Sequence, residues 1–430
     1  MKGLLFTYAL TYGGAVASLF NPFYGLLIYI CFAIIRPETT WHWSVPSGGN
    51  YSRIIGIALL MGWALNGFGN WNLGRSRSIV LCLIGFLSWM GLATITAAYP
   101  AVAWVRAEAL AKVVLPFLVG MTTIHSLKQL NMVMWTILAT EGFIAYQLNM
   151  DYYAGMFNLY NPLRFADMDN NGVAITMVCT AGLAFFCGLR ETVFWRRGLA
   201  FIIAALATHV VLFSESRGGM LALILAGVTS YLLIEKRPQH YLYFLAALII
   251  GLRLAGPPVI ERFSTMLVES EERDTSAQSR VDLSRTMLTI MAQEPVTGIG
   301  PGNFLKLSHH YGWPRNKDGH TTWLQVGAEN GIPGMFLLLG FYLLTIKQCW
   351  RLSRPSSAAP PELADIGRMT IASLVGFMVS AQFVTAYGLE LPYYVVLTGA
   401  IGIKLAGTQF AVECEPSHAS IYVSPAKLAF

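Results

Sequence analysis

Residues 198–234 read GLAFIIAALATHVVLFSESRGGMLALILAGVTSYLLI, two apolar runs on either side of the polar cluster at 214–219. Each run approaches the roughly 20 residues that a helix needs to cross about 30 Å of hydrocarbon. We therefore predict two membrane-spanning helices here, at 198–213 and 217–234, joined by a polar turn at one membrane surface.

Apolar runs of this kind recur along the whole chain. Of its 430 residues, 55% are hydrophobic and 12% are charged, whereas about a quarter of an ordinary soluble domain is charged. The first two runs share the break Asn21-Pro22 and can form one broken hairpin, so the total is twelve or thirteen. The sequence predicts an all-α polytopic membrane helix bundle with spans at 4–20, 22–35, 53–69, 78–97, 104–123, 131–149, 172–188, 198–213, 217–234, 240–254, 332–347, 369–386 and 391–408.

The basic residues indicate membrane topology. The net charge of +6 comes from Lys and Arg that collect in the short gaps between apolar runs, which argues against a nucleic-acid surface. The richer side, which includes Arg75, Arg77, Lys128 and Arg351, is predicted to be cytoplasmic, so the long polar stretch 255–331 faces outwards. Thirteen spans would also place Lys2 outside, which the same rule disfavours, and the side of the amino terminus stays open.

The cysteines support neither a disulfide framework nor a zinc site. Six are present, without a C-x-x-C pair and without a cysteine in the largest polar stretch. We expect no metal and no cofactor.

The cluster Ser-Glu-Ser-Arg-Gly-Gly at 214–219 is the first candidate site. Ser216 can cap the helix that follows, whose N-terminus carries partial positive charge. The planar fork of Arg217 suits phosphate oxygens, so the cluster can seat an anion at the membrane boundary. The alternative is an interfacial arginine that pairs with Glu215.

The polar stretch contains a second candidate. Residues 276–293 place Val281, Leu283, Met287, Leu288 and Met291 at helical spacing, which predicts an amphipathic helix lying on the bundle or the membrane surface. Arg280 and Arg285 on this helix could present cations to a ligand. The alternative is an ordinary solvated helix face.

The third candidate combines the turn Gly-Ile-Gly-Pro-Gly-Asn-Phe at 298–304 with a segment that begins at His320. The glycines allow left-handed backbone and close approach of a partner, although glycines alone are weak evidence for phosphate binding. We predict a short helix at 321–329, containing Glu329, that breaks at Asn330-Gly331. An imidazole near the membrane can act as a general base near neutral pH, and the alternative is a capping or surface histidine.

A fourth feature places Arg106, Glu108 and Lys112 in a predicted span. Ionisable groups at that depth are candidates for function. Glu108 and Lys112 are four residues apart and can neutralise each other, so we favour a structural role for this group.

The order of these motifs over about 205–345 resembles the O-antigen ligase and polymerase superfamily. The shared elements are Ser-x-Ser-Arg-Gly-Gly, a long loop with an arginine helix, Gly-x-Gly-x-Gly-Asn-Phe, and His-x-x-x-Leu-Gln-x-x-x-Glu-x-Gly-x-x-Gly. Asn21-Pro22-Phe23 to Arg36-Pro37-Glu38 is similar to the start of O-glycosylation ligases associated with exosortase exopolysaccharide systems. The resemblance implies a GT-C-like fold with an amino-terminal bundle at 1–204, a ligase core at 205–345 and carboxy-terminal spans at 346–430.

The resemblance also implies an activity. It is a metal-independent glycosyl transfer from an undecaprenyl-diphosphate donor to a hydroxyl of a lipid or protein acceptor, on the periplasmic side of the bacterial inner membrane. Arg217 and Arg280 would bind the donor diphosphate, His320 would be the base, and Ser216, Arg285, Asn303 and Glu329 would support them. The family often has Asn after this histidine, whereas this chain has Thr321.

Two other functions stay open at this point. A polysaccharide polymerase would use a second lipid-linked repeat as acceptor. A transporter of lipid-linked glycans would move its substrate through the bundle and is expected to show repeats or paired broken helices, neither of which is evident in the sequence.

Overall fold

The computed structural model describes residues 2–156, 168–234, 271–354 and 359–413, with positions 238–239, 241–242, 244–246 and 249 between them. Over these residues all regular structure is helical, which confirms the predicted all-α class. Short 3-10 turns lie at Gly74–Ser76 and Ser308–Tyr311. The helices are α1 (Lys2–Phe20), α2 (Pro22–Ile35), α3 (Pro37–Thr40), α4 (Tyr51–Leu65), α5 (Arg77–Ile95), α6 (Pro100–Thr123), α7 (Leu127–Tyr153), α8 (Asn170–Arg190), α9 (Phe194–Phe213), α10 (Arg217–Leu233), α11 (Glu271–Gln293), α12 (Asn303–Leu307), α13 (Thr322–Leu352), α14 (Pro361–Ser380) and α15 (Glu390–Glu413).

Several of these helices are long and apolar enough to cross a membrane. Among the described residues six meet both criteria: α1, α5 with its preceding 3-10 turn, α8, α9, α13 and α14; α4 and α10 are shorter apolar helices. These helices make the chain a polytopic membrane bundle. The total of twelve or thirteen spans stays a prediction, and the span predicted at 240–254 lies largely outside the described residues.

The helix boundaries follow from side-chain caps and prolines. Asn21 accepts a hydrogen bond from the N–H of Phe23 at 3.0 Å and Pro22 opens α2, so the predicted break separates α1 from α2. The break predicted at Asn330-Gly331 is also present, because Gly331 has φ 70° and ψ 172° inside α13.

One predicted span ends in the wrong place. We predicted a span at 369–386, but α14 ends at Ser380. The residues after it form turns that bond to the start of α13: the carbonyl of Ala381 accepts from the N–H of Thr322 at 2.8 Å, and Val384 accepts from its hydroxyl at 2.6 Å. The apolar character of 381–386 comes from packing within the protein, which a hydropathy pattern does not distinguish from lipid exposure.

The helices α8 and α14 form the centre of the bundle, and α1 is peripheral. Of the residues in the most apolar 18-residue stretch of each helix, 78% are buried in α8 and 72% in α14, but only 22% in α1. Gly182 of α8 lies directly against Ser373 of α14, and the Ser373 hydroxyl donates to the carbonyl of Cys179 at 2.9 Å. Small residues allow this close packing, as they do generally between membrane helices.

The starts of α6, α8, α10 and α13 lie together at one end of the bundle, which we call the site end. The N–H of Tyr99, before α6, donates to Asn303 at 2.7 Å, and Asn170 at the start of α8 donates to the carbonyl of Ser214, before α10, at 3.1 Å. The start of α13 bonds to the turn after α14, whose Phe383 contacts Gly218 of α10.

The opposite end of the bundle carries the basic residues that we predicted to be cytoplasmic. There Arg190, the last residue of α8, donates to Asn131 at 2.9 Å, and Gln348 of α13 donates to Ser78 of α5 at 3.0 Å. The structure therefore separates a basic end from the site end. Which side of the membrane each faces stays a prediction.

The amphipathic helix predicted at 276–293 corresponds to α11, while 255–270 lies outside the described residues. Leu283, Met287 and Met291 are buried against the 298–304 turn and the first part of α13, as predicted. Val281 and Leu288 are exposed instead. Ile290 is buried with them, so the buried face follows the three- and four-residue spacing of a helix and leaves out Val281 and Leu288.

Candidate active site

Glu329 organises the turn at 298–304. Its side chain is fully buried in α13, and its carboxylate accepts hydrogen bonds from the N–H groups of Gly302 (2.9 Å) and Phe304 (3.3 Å). Gln325 and Tyr387 donate to the same carboxylate at 3.2 and 3.3 Å. Four donors satisfy the oxygen atoms of this buried carboxyl group, so Glu329 positions the turn from behind it.

The glycines of this turn allow close approach of other protein segments. Gly300 has φ 101°, and a Cβ there would collide with the Cβ of Ala97. A Cβ on Gly302, which has φ 70°, would lie 2.8 Å from Cγ of Arg106. The partner of the glycine turn in this structure is therefore the α5–α6 connection.

Asn303 joins the same two segments. It is fully buried, and its Oδ1 accepts the N–H of Tyr99 while its amide donates to the carbonyl of Pro301 at 3.2 Å. Asn303 thus holds the glycine turn against the α5–α6 connection, and its role in a site stays a prediction.

His320 lies in the connection before α13 with φ 50°, a left-handed backbone that costs a non-glycine residue free energy. The carbonyl oxygen of the Gln325 side chain holds this connection, because it accepts from the N–H of Gly319 at 3.0 Å and from the hydroxyl of Thr385 at 2.6 Å. The strained residue is therefore held on one side by the bond of Gly319 and on the other by the bonds of Thr322 to the segment after α14.

Burial and the charges around His320 shift the pKa of its imidazole. Burial lowers its pKa below the ordinary value; Lys317 and Arg280 lower the pKa further, and Asp318 and Asp169 oppose them. The net direction is downward, so the imidazole is neutral at neutral pH and can accept a proton. Arg280 of α11 therefore lies within electrostatic range of His320, and a shared role of the two residues in a site stays a prediction.

Arg285, a predicted supporting residue, lies on the same helix. It forms an exposed ion pair with Asp282 at 3.2 Å, three residues away. This geometry is that of an ordinary surface pair, and a role in the site stays a prediction for Arg285.

The cluster at 214–219 has the capping geometry that we predicted. The hydroxyl of Ser216 accepts the N–H of Gly219 at 3.2 Å and donates to Oδ1 of Asn171 at 2.7 Å. Glu215, like His320, is a non-glycine residue with left-handed backbone, at φ 56°. Arg217, the exposed first residue of α10, thus lies at the site end, where Asp169 at the start of α8 acts on His320.

A cavity of about 490 Å³ opens beside the His320 connection. Its lining combines residues from the amino-terminal helices, the start of α8, the glycine turn and the segment after α14: Arg36, Arg106, Ala109, Leu110, Met168, Asp169, Gly172, Gly302, Leu305, Asp318, Gln325, Val384, Thr385, Ala386, Tyr387, Gly388 and Leu389. His320, Arg217 and Arg280 are not part of this lining.

Two arginines line the cavity: Arg106, for whose group we favoured a structural role, and Arg36, to which the sequence assigned no binding role. Glu108 does pair with Lys112, at 2.8 Å, and with Arg53, at 3.6 Å, as the structural interpretation predicted. Arg106 lines the cavity instead. Arg36 was quoted only as part of an amino-terminal resemblance.

Asp169 and Asn171 were missed as well. The polar run Asp169-Asn170-Asn171 precedes an apolar span, as the cluster at 214–219 does. That parallel was an available signal, since Asp169 caps α8 through the N–H of Gly172 at 2.7 Å. Among the described residues no group of three His, Cys, Asp or Glu side chains could hold a metal ion.

Comparisons with known proteins find a family match for each of two parts of the chain. Residues 1–181 match a family of unknown function (DUF5935), and residues 199–339 match the family described as O-antigen ligase. No curated protein matches the chain. The domain boundaries at 204 and 345 and the association with exosortase systems stay predictions. The matched segment at 199–339 contains the cluster at 214–219, α11, the glycine turn and the His320 connection, and this part of the chain belongs to the O-antigen ligase superfamily.

Proposed function

We propose that this protein is an inner-membrane glycosyltransferase that moves a glycan from an undecaprenyl-diphosphate donor to an acceptor hydroxyl on the periplasmic side. The observation that carries the proposal is the placement of His320, neutral at neutral pH, within electrostatic range of Arg280 and at the same bundle end as Arg217. A base and two cations are the groups that this transfer needs.

The chemistry assigns one step to each group. The acceptor hydroxyl gives its proton to an imidazole nitrogen of His320 while its oxygen attacks the anomeric carbon of the donor sugar. The bond between that carbon and the diphosphate oxygen breaks, and undecaprenyl diphosphate leaves with the electron pair. Stabilisation of the departing charge accelerates the reaction because that charge develops in the transition state.

Arg217 and Arg280 are proposed to hold the diphosphate. A guanidinium group forms paired hydrogen bonds to phosphate oxygens, and at Arg217 the N-terminal dipole of α10 adds to the positive potential. Since the polyprenyl tail belongs in lipid, its diphosphate lies at the membrane boundary, where α10 begins. Two guanidinium groups can perform the charge neutralisation that the proposed metal-independent mechanism requires.

A reconstitution experiment tests the function and separates it from the alternatives. Purified protein in lipid vesicles receives a labelled undecaprenyl-diphosphate glycan, with and without a separate acceptor. Transfer only when the acceptor is present supports a ligase, whereas elongation of the donor by itself assigns a polymerase. Movement of the glycan across the vesicle membrane without any transfer would overturn the enzyme proposal in favour of transport.

A further inference from the structure

The cavity brings two arginines from the amino-terminal segment to the ligase segment. Arg36 follows α2 and Arg106 belongs to α6, whereas Gly302 and Asp318 on the facing wall belong to the residues that match O-antigen ligases. Its volume of about 490 Å³ lies within the range of small-molecule sites, roughly 300–1,000 Å³. The proposed function gives Arg36 and Arg106 no role.

The backbone holds Arg36 in a costly conformation. Arg36 has φ 47° and ψ 72°, its N–H closes α2 by donating to the carbonyl of Phe32 at 2.9 Å, and Pro37 follows it. Glycine or asparagine is the usual residue at such a left-handed helix end. An arginine there places a guanidinium group on the cavity wall and within electrostatic range of the Glu390 carboxyl group.

The glycine turn makes room for Arg106. Cγ of Arg106 would lie 2.8 Å, and its Nε 3.1 Å, from a Cβ on Gly302, so only glycine lets this side chain pass the turn. The backbone N–H of Gly302 is held by the buried Glu329 carboxylate. The turn and Arg106 therefore fit each other, and Arg106 lies beside Tyr387 on the cavity wall.

The charges of the lining favour a singly charged sugar over a diphosphate. Arg36 and Arg106 contribute two positive charges to the lining, and Asp169 and Asp318, which act on His320, contribute two negative charges. The carboxyl group of Glu390, outside the lining, lies within electrostatic range of Arg36. Two aspartates repel a multiply charged diphosphate, but their oxygens can accept hydrogen bonds from sugar hydroxyls. A guanidinium group binds a carboxylate through paired hydrogen bonds.

We propose that Arg36 and Arg106 form a subsite for the carboxylate of an acidic sugar, so that this cavity selects uronic-acid-containing glycans for the reaction at His320. The inference rests on the proposed function in that it takes the cavity ligand to be a glycan substrate. The carboxylate can belong to the donor glycan or to the acceptor, since the proposed reaction brings both substrates to His320.

Equilibrium binding to the full-length protein in lipid nanodiscs tests the subsite. The probes are a disaccharide that contains glucuronate, its carboxyl-reduced neutral counterpart and inorganic pyrophosphate. We expect the acidic disaccharide to bind at least about tenfold more tightly than the neutral one, a difference of about 1.4 kcal/mol. Arg36→Gln and Arg106→Gln should each remove most of this preference, whereas Arg53→Gln, which removes the same charge from an exposed ion pair, should retain it.

Three results would overturn the subsite: no binding of the acidic disaccharide, equal binding of both disaccharides, or a preference that survives both arginine substitutions. Displacement of the acidic disaccharide by pyrophosphate with higher affinity would assign the arginines to the donor diphosphate instead. Even if a variant fails to fold, the affinities of the two disaccharides for the unsubstituted protein still test the subsite.

Transfer assays with acidic and carboxyl-reduced glycans then identify the source of the carboxylate. Loss of transfer when only the donor glycan is reduced places it on the donor, and loss when only the acceptor is reduced places it on the acceptor. If the enzyme is active but transfers acidic and carboxyl-reduced glycans equally well, as donor and as acceptor, the subsite is overturned while the proposed function stands. Selective binding without any transfer leaves the subsite in place and overturns the proposed function.

Discussion

The carboxylate of Glu329 accepts the backbone N–H of Gly302 at 2.9 Å, which ties the first part of α13 to the turn that contacts Arg106. Through this one hydrogen bond a buried residue of the membrane helix sets the position of a cavity wall.

Glu329→Gln should destabilise the turn. The amide can accept only at its oxygen, and its NH₂ group would face donors that now bond to a carboxylate. An unsatisfied buried donor costs about 1–3 kcal/mol, so we expect a lower thermal unfolding temperature and reduced transfer. Glu294→Gln, an exposed substitution on the same end of the bundle, is the control. Equal unfolding temperatures for the two variants would contradict this role of Glu329.

Gly300→Ala should be more damaging than Gly312→Ala. Both glycines have positive φ, 101° and 80°, and alanine in left-handed backbone costs about 1–2 kcal/mol. At Gly312 no atom lies near a new Cβ, whereas at Gly300 the Cβ of Ala97 blocks it. Thermal unfolding of the two purified variants measures the difference, and equal losses would show that the close approach of the turn to Ala97 is unimportant.

The pH dependence of transfer should follow His320. Because the neutral imidazole is the active form, the rate should rise with pH through the pKa of His320 and stay level above it. Arg280→Gln removes a positive charge that lowers this pKa, so the rising limb should move to higher pH; Asp318→Asn removes a negative charge and should move it to lower pH. The measured quantity is the pH of half-maximal kcat/KM. Shifts in the same direction, or none, would exclude His320 as the titrating group.

Asn171→Ala should weaken donor binding. Its Oδ1 accepts the hydroxyl of Ser216, the residue that caps α10 just before Arg217. Loss of one hydrogen bond of about 1 kcal/mol corresponds to roughly fivefold weaker binding of the donor. Asn131→Ala is the matched control, because Asn131 accepts a hydrogen bond from Arg190 at the other end of α8. Equal effects of the two substitutions on the donor dissociation constant would point to a general loosening of α8.

Local patterns predicted much of the fold. Apolar length located most of the helices, and Asn21-Pro22 and Asn330-Gly331 marked real interruptions because proline and glycine act on their own backbone. The end of α14 was predicted wrongly, since the residues after Ser380 form turns that accept hydrogen bonds from the start of α13.

The site was less predictable than the helices. The motif residues His320 and Arg280 could be proposed from their types and order, and the structure places them within electrostatic range of each other. The cavity joins Arg36, Arg106 and Asp169 from three separate helix ends, and that meeting depends on how the helices pack. The burial of Glu329 is a tertiary property for the same reason.

The separate roles proposed for His320, Arg217 and Arg280 are tested by measuring transfer and donor binding in one set of purified variants. His320→Ala should lower the transfer rate by at least about 100-fold, as loss of a general base does, with the donor dissociation constant nearly unchanged. Arg217→Gln and Arg280→Gln should weaken donor binding as well, and Arg315→Gln, an exposed arginine in the connection before His320, should change neither. If His320→Ala transfers glycan at the normal rate, or loses donor binding as strongly as the two arginine variants, the proposed mechanism is contradicted.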